Sequence, residues 1–393
     1  MNDQIVIVGA ARTPMAGLQG DFASLSAYQL GAEAIRAAVG RAGVPAGDVE
    51  GAIMGCVLPA GQGQAPARQA ALGAGLPESA GCSTVNKMCG SGMQAIMFAY
   101  DMLVADNAQV LVAGGMESMT NSPYLLPKAR AGLRLGHGAV VDHMFLDGLE
   151  DAYDRGRLMG TFAEDAAQVY GFTRAEQDSY ALASLERALN ATRDGSFTAE
   201  ITPVAVETRK GRVVISVDEQ PGKARPENIP TLKPAFRDGG TVTAANSSSI
   251  SDGAAAVVMM ALCEAEKRGS APLARVVGHA TWASTPSQFA SAPVGAIRRL
   301  LGKVGWAVDD VDLWEINEAF AIVALIVMRE LGLPHEKVNV HGGACALGHP
   351  IGASGARVVV TLTEALRKHG LKRGIATLCI GGGEATALAV EIL

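Results

Sequence analysis

The residue in this sequence best placed to do covalent chemistry is Cys89, which lies in a short glycine-rich turn. Gly90 and Gly92 follow it, and the apolar stretch from Met93 to Val104 predicts a helix directly after the turn. A thiol at the start of a helix faces free N–H groups and the positive end of the helix dipole, which lower its pKa and favour a thiolate. The glycines would also let backbone N–H groups approach an oxyanion. A lone cysteine in a tight turn is more often simply buried, so Cys89 needs partners to count as a nucleophile.

Three further motifs offer such partners. His349 follows a glycine-rich segment that begins at His341, and a neutral imidazole is the usual acceptor for a thiol proton near neutral pH. Cys379 ends an apolar strand and precedes three glycines, and Asn317 ends another such strand, where its amide could hold a water or a carbonyl oxygen. Each residue could instead have an ordinary core or surface role, and His341 fits that alternative best. Because these motifs come at predicted strand ends, their side chains could converge.

The turn around Cys89 also matches a weak dinucleotide-binding fingerprint, Gly90-x-Gly92-x-x-Ala95. Such a site should follow the first strand of its unit and be trailed by an acidic residue about 20 residues further on. The next predicted strand, Val110 to Ala113, ends in glycines instead. We therefore favour covalent chemistry over a nicotinamide-dependent dehydrogenase.

The elements that would position these residues come from an internal repeat, because the two ends of the chain match one another in order. The matching pairs are Ile5–Gly9 with Ala274–Gly278, Asp48–Gly55 with Asp310–Asn317, Ser83–Gly92 with Val338–Gly355, and Val110–Glu117 with Thr377–Glu384. Helix-period segments such as Tyr28 to Val39 and Val294 to Val304 lie between these strands. Such alternation predicts largely parallel sheets covered by helices.

The segment from about Thr120 to Ala245 has no partner in the repeat and is predicted to form an inserted loop domain over the active face. It contains one predicted amphipathic helix, from Arg174 to Asp194. Thr173 and Glu176 form a capping box at the start of that helix.

Length, charge and cysteine usage limit the classes of function. At 393 residues the chain exceeds the size of one hydrophobic core, which predicts two or three subdomains. The formal charge is −6, and no Lys/Arg-rich stretch offers a nucleic-acid footprint. No apolar run of about 18 residues predicts a membrane helix, and the first residues do not resemble a signal peptide. Six scattered cysteines without a CxxC pair predict reduced thiols, no metal site and a cytoplasmic compartment.

Taken together, the motifs resemble those of the thiolases. They are VNKMCGSGMQA around Cys89, VTAANSSSISDGAAA at 242–256, NEAF at 317, GGACALGHPIGASGAR at 342 and CIGGGEA at 379. The resemblance runs over essentially the whole chain. It implies an α/β fold of two duplicated βαβαβαββ halves, which form a layered α-β-α-β-α core with an inserted loop domain. Residues 1–120 and 246–270 would form the N-terminal half, residues 121–245 the loop domain, and residues 271–393 the C-terminal half.

The chemistry that this resemblance implies is acyl transfer in two steps. Cys89 would be the nucleophile and His349 would accept its proton, which gives an acyl-enzyme and free CoA. Cys379 would then remove a proton from the α-carbon of a second acyl-CoA, and the carbanion would attack the thioester on Cys89. Asn317 and His349 would serve the enolate oxygen, and the N–H groups of Cys89 and Gly381 the tetrahedral intermediate. No cofactor is implied, because CoA is a substrate and product.

The resemblance also implies where CoA lies, namely under the inserted domain. The implied contacts are Ser248, Phe236, Phe320, Met159, Leu149, Lys223, Arg225 and Ala245. Leu158 stands where many thiolases have a histidine, and Phe289 stands where several have a methionine, which leaves the acyl-chain preference open. Thiolases are usually tetramers, and residues 125–142 resemble their tetramer-forming loop, so a homotetramer is predicted.

The predicted reaction is the reversible condensation of two acetyl-CoA molecules to acetoacetyl-CoA and CoA. The alternative within the family is a degradative 3-ketoacyl-CoA thiolase that prefers longer chains. A ketoacyl synthase or a hydroxymethylglutaryl-CoA synthase would lack the cysteine at position 379. A non-catalytic CoA- or lipid-binding module would leave the four catalytic positions without a role.

Overall fold

The computed structural model describes residues 4–209 and 211–393, and its first part alternates strands with helices as the repeat predicts. The helix after Cys89 begins at Ser91, two residues earlier than predicted. In chain order the elements are β1 (Ile5–Arg12), β2 (Ala16–Gly17), α1 (Ala27–Ala42), β3 (Gly51–Gly55), α2 (Pro66–Gly73), β4 (Gly81–Val85), α3 (Ser91–Val104) and β5 (Val110–Ser118).

The chain then leaves the repeat and returns to it at residue 251. The elements of this stretch are β6 (Tyr124–Leu125), β7 (Val141–Asp142), α4 (Met159–Tyr170), α5 (Arg174–Arg193), β8 (Val204–Thr208), β9 (Gly211–Ile215), α6 (Glu219–Lys223), β10 (Ser251–Ala261) and α7 (Leu262–Arg268). The capping box predicted at Thr173 and Glu176 is present at the start of α5.

The second part repeats the alternation. Its elements are β11 (Ala274–Ala283), α8 (Ala292–Val304), β12 (Leu313–Ile316), α9 (Ala321–Leu331), α10 (Ala344–Leu347), α11 (Ile351–His369), β13 (Arg373–Ile380) and β14 (Glu384–Glu391).

The two halves share one strand order, which confirms the duplication. In the first half the order is β4-β3-β5-β10-β1, and in the second it is β12-β13-β14-β11. Val338 forms a parallel bridge to Trp314 of β12, in the place that β4 occupies beside β3. β1 and β11 pair briefly at Val6 with Arg275, so the two sheets join edge to edge.

The prediction of largely parallel sheets is wrong for two of the four strand pairs in the first half and for two of the three in the second. β3 lies parallel to β4 and β5, whereas β10 runs antiparallel to both β5 and β1. In the second half, β14 follows β13 through a tight turn at residues 381–383 and therefore runs antiparallel to it. A parallel neighbour would need a crossover of a dozen residues or more, and the turn is too short for one.

Helices α3 and α11 form the central layer between the two sheets. Their side chains share one buried cluster with inward-facing residues of strands from both halves. A second cluster joins the first sheet to α1 and α2, and a third joins the second sheet to α8 and α9. The order of layers is therefore α-β-α-β-α.

Close approach of the central helices depends on glycines. A Cβ added at Gly92 of α3 would lie 2.7 Å from the backbone nitrogen of Ala356, and one added at Gly355 of α11 would lie 2.4 Å from that of Met93. Backbone meets backbone at this crossing, so the two halves are fixed against each other next to Cys89 and His349.

Among the residues that the structure describes, no helix combines the length and the apolar character needed to cross a bilayer.

Candidate active site

Cys89 lies in the turn between β4 and α3, and polar contacts fix the shape of that turn. The Ser91 hydroxyl accepts the N–H of Lys87 at 2.8 Å and donates to the Met88 carbonyl at 2.6 Å. The N–H of Met88 donates to Asn86 at 3.0 Å. Met88 has a φ of 48°, a left-handed conformation that a bulky residue adopts only where its surroundings impose it. Met88 directly precedes Cys89, so its strained conformation helps to set where Cys89 lies.

The turn that carries Cys89 packs directly against the end of β13. A Cβ at Gly90 would lie 2.4 Å from Cδ1 of Ile380, so a larger residue at position 90 would have to displace the Ile380 side chain. The N–H groups of Gly381 and of Cys89 itself lie near enough to the sulfur of Cys89 to lower its pKa. Cys379 lies close enough that a negative charge on Cys89 raises its pKa. The structure thus brings Cys89 together with Cys379 and Gly381, which lie almost 300 positions further along the chain.

The resting Cys89 is a neutral thiol, which makes the expectation of a preformed thiolate wrong. Burial raises the pKa of Cys89 to about 11, while the nearby N–H groups of Gly381 and Cys89 lower it by less. Burial also raises the pKa of Cys379 well above its ordinary value. Loss of water around the turn therefore raises the pKa of Cys89 by more than the helix N-terminus lowers it. A base must take the proton from Cys89.

His349 is a buried residue with one free ring nitrogen. Its Nδ1 lies 2.5 Å from Oγ of Ser354 and 3.5 Å from Nδ2 of Asn317. Its Nε2 is buried and has no hydrogen-bond partner among the described residues. Burial, and then the charge of Arg357, lower the pKa of His349 to about 3, so the imidazole is neutral near pH 7. A neutral imidazole with a free nitrogen can accept a thiol proton.

A buried ion pair holds the amide of Asn317. Arg357 donates to Glu315 at 2.5 Å and to Oδ1 of Asn317 at 3.2 Å. Because a guanidinium has donors only, the atom of Asn317 that faces it must be the oxygen, and the NH2 group points toward His349. The amide can therefore present hydrogen-bond donors to the site.

Glu117 of β5 ties the start of α11 to the first half. It accepts N–H groups from Val57, Leu58 and Gly352 at 2.9, 3.2 and 2.8 Å. Burial raises its pKa to about 7. Gly352 follows His349 by three residues, so Glu117 helps to set where His349 lies.

The sequence predicted no role in the site for three residues, namely Ser354, Arg357 and Glu117. Ser354 and Arg357 lie inside the GASGAR motif, which contributes to the family resemblance without indicating what either side chain does. An arginine near the start of an apolar helix was a usable signal, because such a charge is buried only beside a partner. No pattern in the sequence pointed to Glu117.

The predicted CoA contacts Ser248, Phe320 and Phe236 lie next to one another. Ser248 donates its N–H and its hydroxyl to the carbonyl of Ala319, both at 3.0 Å. The ring of Phe320 packs edge-to-face against Phe236 at 6.0 Å and against Phe289 at 6.1 Å between centroids. The three aromatic rings and Cys379 belong to one apolar cluster.

Met159 and Leu149 approach the site from the inserted segment. The sulfur of Met159 lies 3.4 Å from the position that a Cβ of Gly381 would take. Leu149 packs in one apolar cluster with Cys89 and with Ile351, which follows His349 by two residues. The structure therefore places Leu149 and Met159 beside the turns that carry Cys89 and Gly381.

The predicted contacts Lys223, Arg225 and Ala245 line a separate part of the surface, a cavity of about 300 Å³ between α5, α6 and the loop before β10. Ser249 and Cys345 also line this cavity. Lys223 is exposed and forms an ion pair with Glu219. The cavity thus presents cationic groups at one edge.

Cys56, Cys82, Cys89, Cys345 and Cys379 are free thiols. Within residues 4–209 and 211–393, no group of three or more His, Cys, Asp and Glu side chains is arranged to hold a metal ion.

Comparison with known proteins agrees with this geometry. The thiolase N-terminal domain matches residues 5–262, and the thiolase C-terminal domain matches residues 270–392. An acetyl-CoA acetyltransferase of Pseudomonas aeruginosa is 48% identical over 98% of both chains, and acetyl-CoA acetyltransferase 2 of Arabidopsis thaliana is 48% identical over 99% of this chain and 97% of its own.

Solved structures give the same result. The crystal structure of the Bacillus anthracis acetyl-CoA acetyltransferase superimposes with a TM-score of 0.97 at 41% identity and covers 100% of both chains. The Acat5 thiolase of Ascaris suum in complex with coenzyme A gives 0.94 at 40% identity, covering 99% of this chain and 100% of its own. With both domains matched and the fold shared over its full length, this chain belongs to the thiolase family.

Proposed function

We propose that this thiolase is an acetyl-CoA C-acetyltransferase, which reversibly condenses two acetyl-CoA molecules into acetoacetyl-CoA and CoA through an acyl-Cys89 intermediate. The observation that carries the proposal is the surroundings of one sulfur atom. The N–H groups of Gly381 and Cys89 lie near the sulfur of Cys89 and lower its pKa, and this sulfur lies next to the thiol of Cys379. The names of the relatives at 48% identity support the acetyl group as substrate.

In the first half-reaction, Cys89 attacks the thioester carbonyl while its proton passes to Nε2 of His349. The N–H groups of Gly381 and Cys89 lie near the sulfur that attacks the carbonyl, which suits them to the oxyanion of the tetrahedral intermediate. The CoA thiolate leaves and takes a proton from Cys379. The products of this half are acetyl-Cys89, CoA, an imidazolium and a Cys379 thiolate.

In the second half-reaction, the Cys379 thiolate removes a proton from the methyl group of the second acetyl-CoA. Nε2–H of the imidazolium, and a water held by the Asn317 amide, stabilise the enolate oxygen. The enolate carbon attacks the acetyl-Cys89 carbonyl, the Cys89 sulfur leaves, and it regains its proton from His349. Acetylated Cys89 cannot carry the negative charge that would raise the pKa of Cys379, so Cys379 ionises next to a neutral group at this stage.

The arrangement of the remaining predicted contacts supports a short acyl chain. Phe236, Phe289 and Phe320 pack as one aromatic group in the cluster that contains Cys379. Rigid rings at this place leave little room to rearrange around a long chain. The cationic edge of the cavity at Lys223 and Arg225 is suited to the nucleotide phosphates of CoA.

A substrate series tests the proposal against its alternative of a longer-chain degradative enzyme. We expect CoA-dependent cleavage of acetoacetyl-CoA, with kcat/KM falling for 2-methylacetoacetyl-CoA and for 3-ketoacyl-CoAs of increasing length. The measurement is the loss of the ketoacyl-CoA absorbance at a fixed CoA concentration. No cleavage of acetoacetyl-CoA together with rapid cleavage of long chains would reject the acetyltransferase in favour of the alternative.

The assembly and compartment belong to the same proposal. Exposed apolar side chains of the segment between β5 and α4 support a homotetramer, in which they would be covered. The free thiols of Cys56, Cys89 and Cys379 support a reducing compartment such as the cytoplasm. The reaction as proposed uses no cofactor beyond CoA itself.

A further inference from the structure

The first turn of α11 carries a serine that contacts the proposed base. Oγ of Ser354 lies 2.5 Å from Nδ1 of His349 and 3.0 Å from the carbonyl oxygen of Pro350. Both Ser354 and His349 are buried, so neither side chain can exchange these contacts for water.

The hydroxyl of Ser354 has one hydrogen and two neighbours. The carbonyl of Pro350 can only accept, and a serine in a helix commonly gives its hydrogen to the carbonyl four residues earlier. With its hydrogen on Pro350, Oγ offers a lone pair to His349. The hydrogen of the neutral imidazole then lies on Nδ1, and Nε2 keeps the lone pair.

The other neighbour of Nδ1 cannot replace Ser354 as an acceptor. Because Arg357 holds Oδ1 of Asn317, the NH2 group of the amide is the part that lies 3.5 Å from Nδ1. An NH2 group cannot accept the hydrogen of Nδ1, but it can donate to Nδ1 if the hydrogen moves to Nε2. Asn317 therefore favours the opposite tautomer from Ser354.

We propose that Ser354 is a positioning residue that keeps the imidazole hydrogen of His349 on Nδ1, so that Nε2 is free to accept the Cys89 proton. The inference rests on the proposed function, since it assigns His349 the task of base. It is consistent with Nε2, which is buried and has no partner among the described residues. Without Ser354, the amide of Asn317 would draw the lone pair to Nδ1 and leave a hydrogen on Nε2.

The charged and titratable groups around His349 come from several elements. Arg357 lies on α11 and is paired with Glu315 of β12; Glu117 of β5 binds the start of α11; Cys89 and Cys379 come from the two turns. Removal of the Ser354 hydroxyl changes none of these groups. A change in pH profile would therefore report on His349 rather than on its surroundings.

Alkylation of Cys89 by iodoacetamide tests the inference without any substrate, with the Cys89 peptide followed by mass spectrometry from pH 6 to pH 9. In the unmodified enzyme the rate is expected to be nearly flat, because His349 has a pKa of about 3 and accepts the proton throughout this range. In Ser354→Ala, Nε2 no longer accepts, and the rate is expected to rise about tenfold per pH unit as the free thiol ionises. At pH 7 acetylation of Cys89 by acetyl-CoA is expected to slow by about 10-fold to 100-fold.

Two variants make the comparison specific. Ser354→Thr keeps a hydroxyl and is expected to keep the flat profile, even if the extra methyl group lowers the melting temperature. Thr363→Val is the matched control, because Thr363 is buried on the same helix and gives its hydroxyl hydrogen to the Val359 carbonyl at 2.8 Å, like Ser354 to Pro350. It is expected to lose a similar helix contact and to keep the profile of the unmodified enzyme.

A flat profile in Ser354→Ala, with acetylation within about twofold of the unmodified enzyme, would overturn the inference. A steep profile in Thr363→Val would also overturn it, because a general loosening of α11 would then explain the effect. Failure of the proposed function has a different signature. The unmodified enzyme would then show no acetyl adduct on Cys89 with acetyl-CoA, whatever its alkylation profile.

Discussion

At the scale of single residues, the site divides its chemistry between two cysteines that lie side by side but in different turns. Cys89 is partly exposed and lies near the N–H groups of Gly381 and Cys89, whereas Cys379 is buried. The first position suits a nucleophile that a thioester must reach. The second suits a base or acid for a carbon that arrives later.

This division predicts different defects for the two alanine variants. Cys89→Ala is expected to form no acetyl adduct with acetyl-CoA, because the nucleophile is missing. Cys379→Ala is expected to acetylate at Cys89 but to condense about 10²-fold to 10⁴-fold more slowly, the usual contribution of a general base. Intact-protein mass spectrometry measures the adduct, and acetoacetyl-CoA formation measures condensation.

The exposed Cys263 supplies the control for these measurements. Cys263→Ala is expected to keep both the adduct and the condensation rate. Equal loss of acetylation in Cys89→Ala and Cys379→Ala would contradict the separate roles of the two thiols.

The identities of the four catalytic candidates could be predicted from the sequence, but their protonation states could not. Motif context marked Cys89 and His349, because cysteine and histidine beside glycine-rich turns are uncommon in combination. Their pKa values depend on burial, and burial depends on the central layer of helices that closes over them. The helix N-terminus alone predicts a thiolate at Cys89, whereas burial in the folded protein keeps Cys89 as a thiol.

At the scale of elements, the crossing of α3 and α11 sets the distance between the two halves of the site. Gly92→Ala is expected to push these helices apart, because its Cβ would lie 2.7 Å from a backbone nitrogen and 3.0 Å from a backbone oxygen of α11. Backbone cannot move aside as a side chain can, so we expect a loss of about 1–3 kcal/mol in the free energy of unfolding. We also expect slower acetylation of Cys89. Thermal unfolding and the adduct assay measure the two effects.

Gly302 of α8 gives the matched control, since a Cβ there would meet nothing within 4 Å. Gly302→Ala is expected to stabilise the protein by about 0.5–1 kcal/mol, because alanine is the better helix former, and to leave acetylation unchanged. If Gly92→Ala acetylates at the rate of Gly302→Ala, the crossing does not set the geometry of the site.

The sequence predicted most elements because each has a local signal. The strands are apolar runs, and the box at Thr173 and Glu176 marks the start of α5. Strand direction has no such signal when a short connection replaces a helix. The three residues between β13 and β14 belong to a glycine motif that gives no sign of strand direction. The connection is shorter than the dozen or more residues that a parallel crossover needs, and only this difference shows that the two strands must be antiparallel.

At the scale of the whole molecule, the duplication explains why a site made from distant residues needs both halves. The turn after β4 delivers Cys89, and the corresponding place in the second half delivers His349 at the start of α11. The turn after β13 delivers Cys379 and Gly381. Each half contributes turns at the ends of its strands to the site. The central helices α3 and α11 hold the two halves together.

The segment between β5 and α4 predicts how several molecules assemble. Leu135 is 98% exposed, and Leu126, Leu133 and Val140 are about half exposed or more. Apolar side chains grouped on one protruding segment are stabilised when another copy covers them. Leu135→Asp is therefore expected to convert a tetramer to a dimer at micromolar concentration, because each contact would bury an unpaired charge. Multi-angle light scattering after size exclusion measures the mass.

Val169 of α4 is 81% exposed but lies outside this segment, so Val169→Asp is expected to leave the mass unchanged. A tetramer that persists in Leu135→Asp would place the contact elsewhere, and a mass of one or two chains in the unmodified protein would reject the tetramer itself.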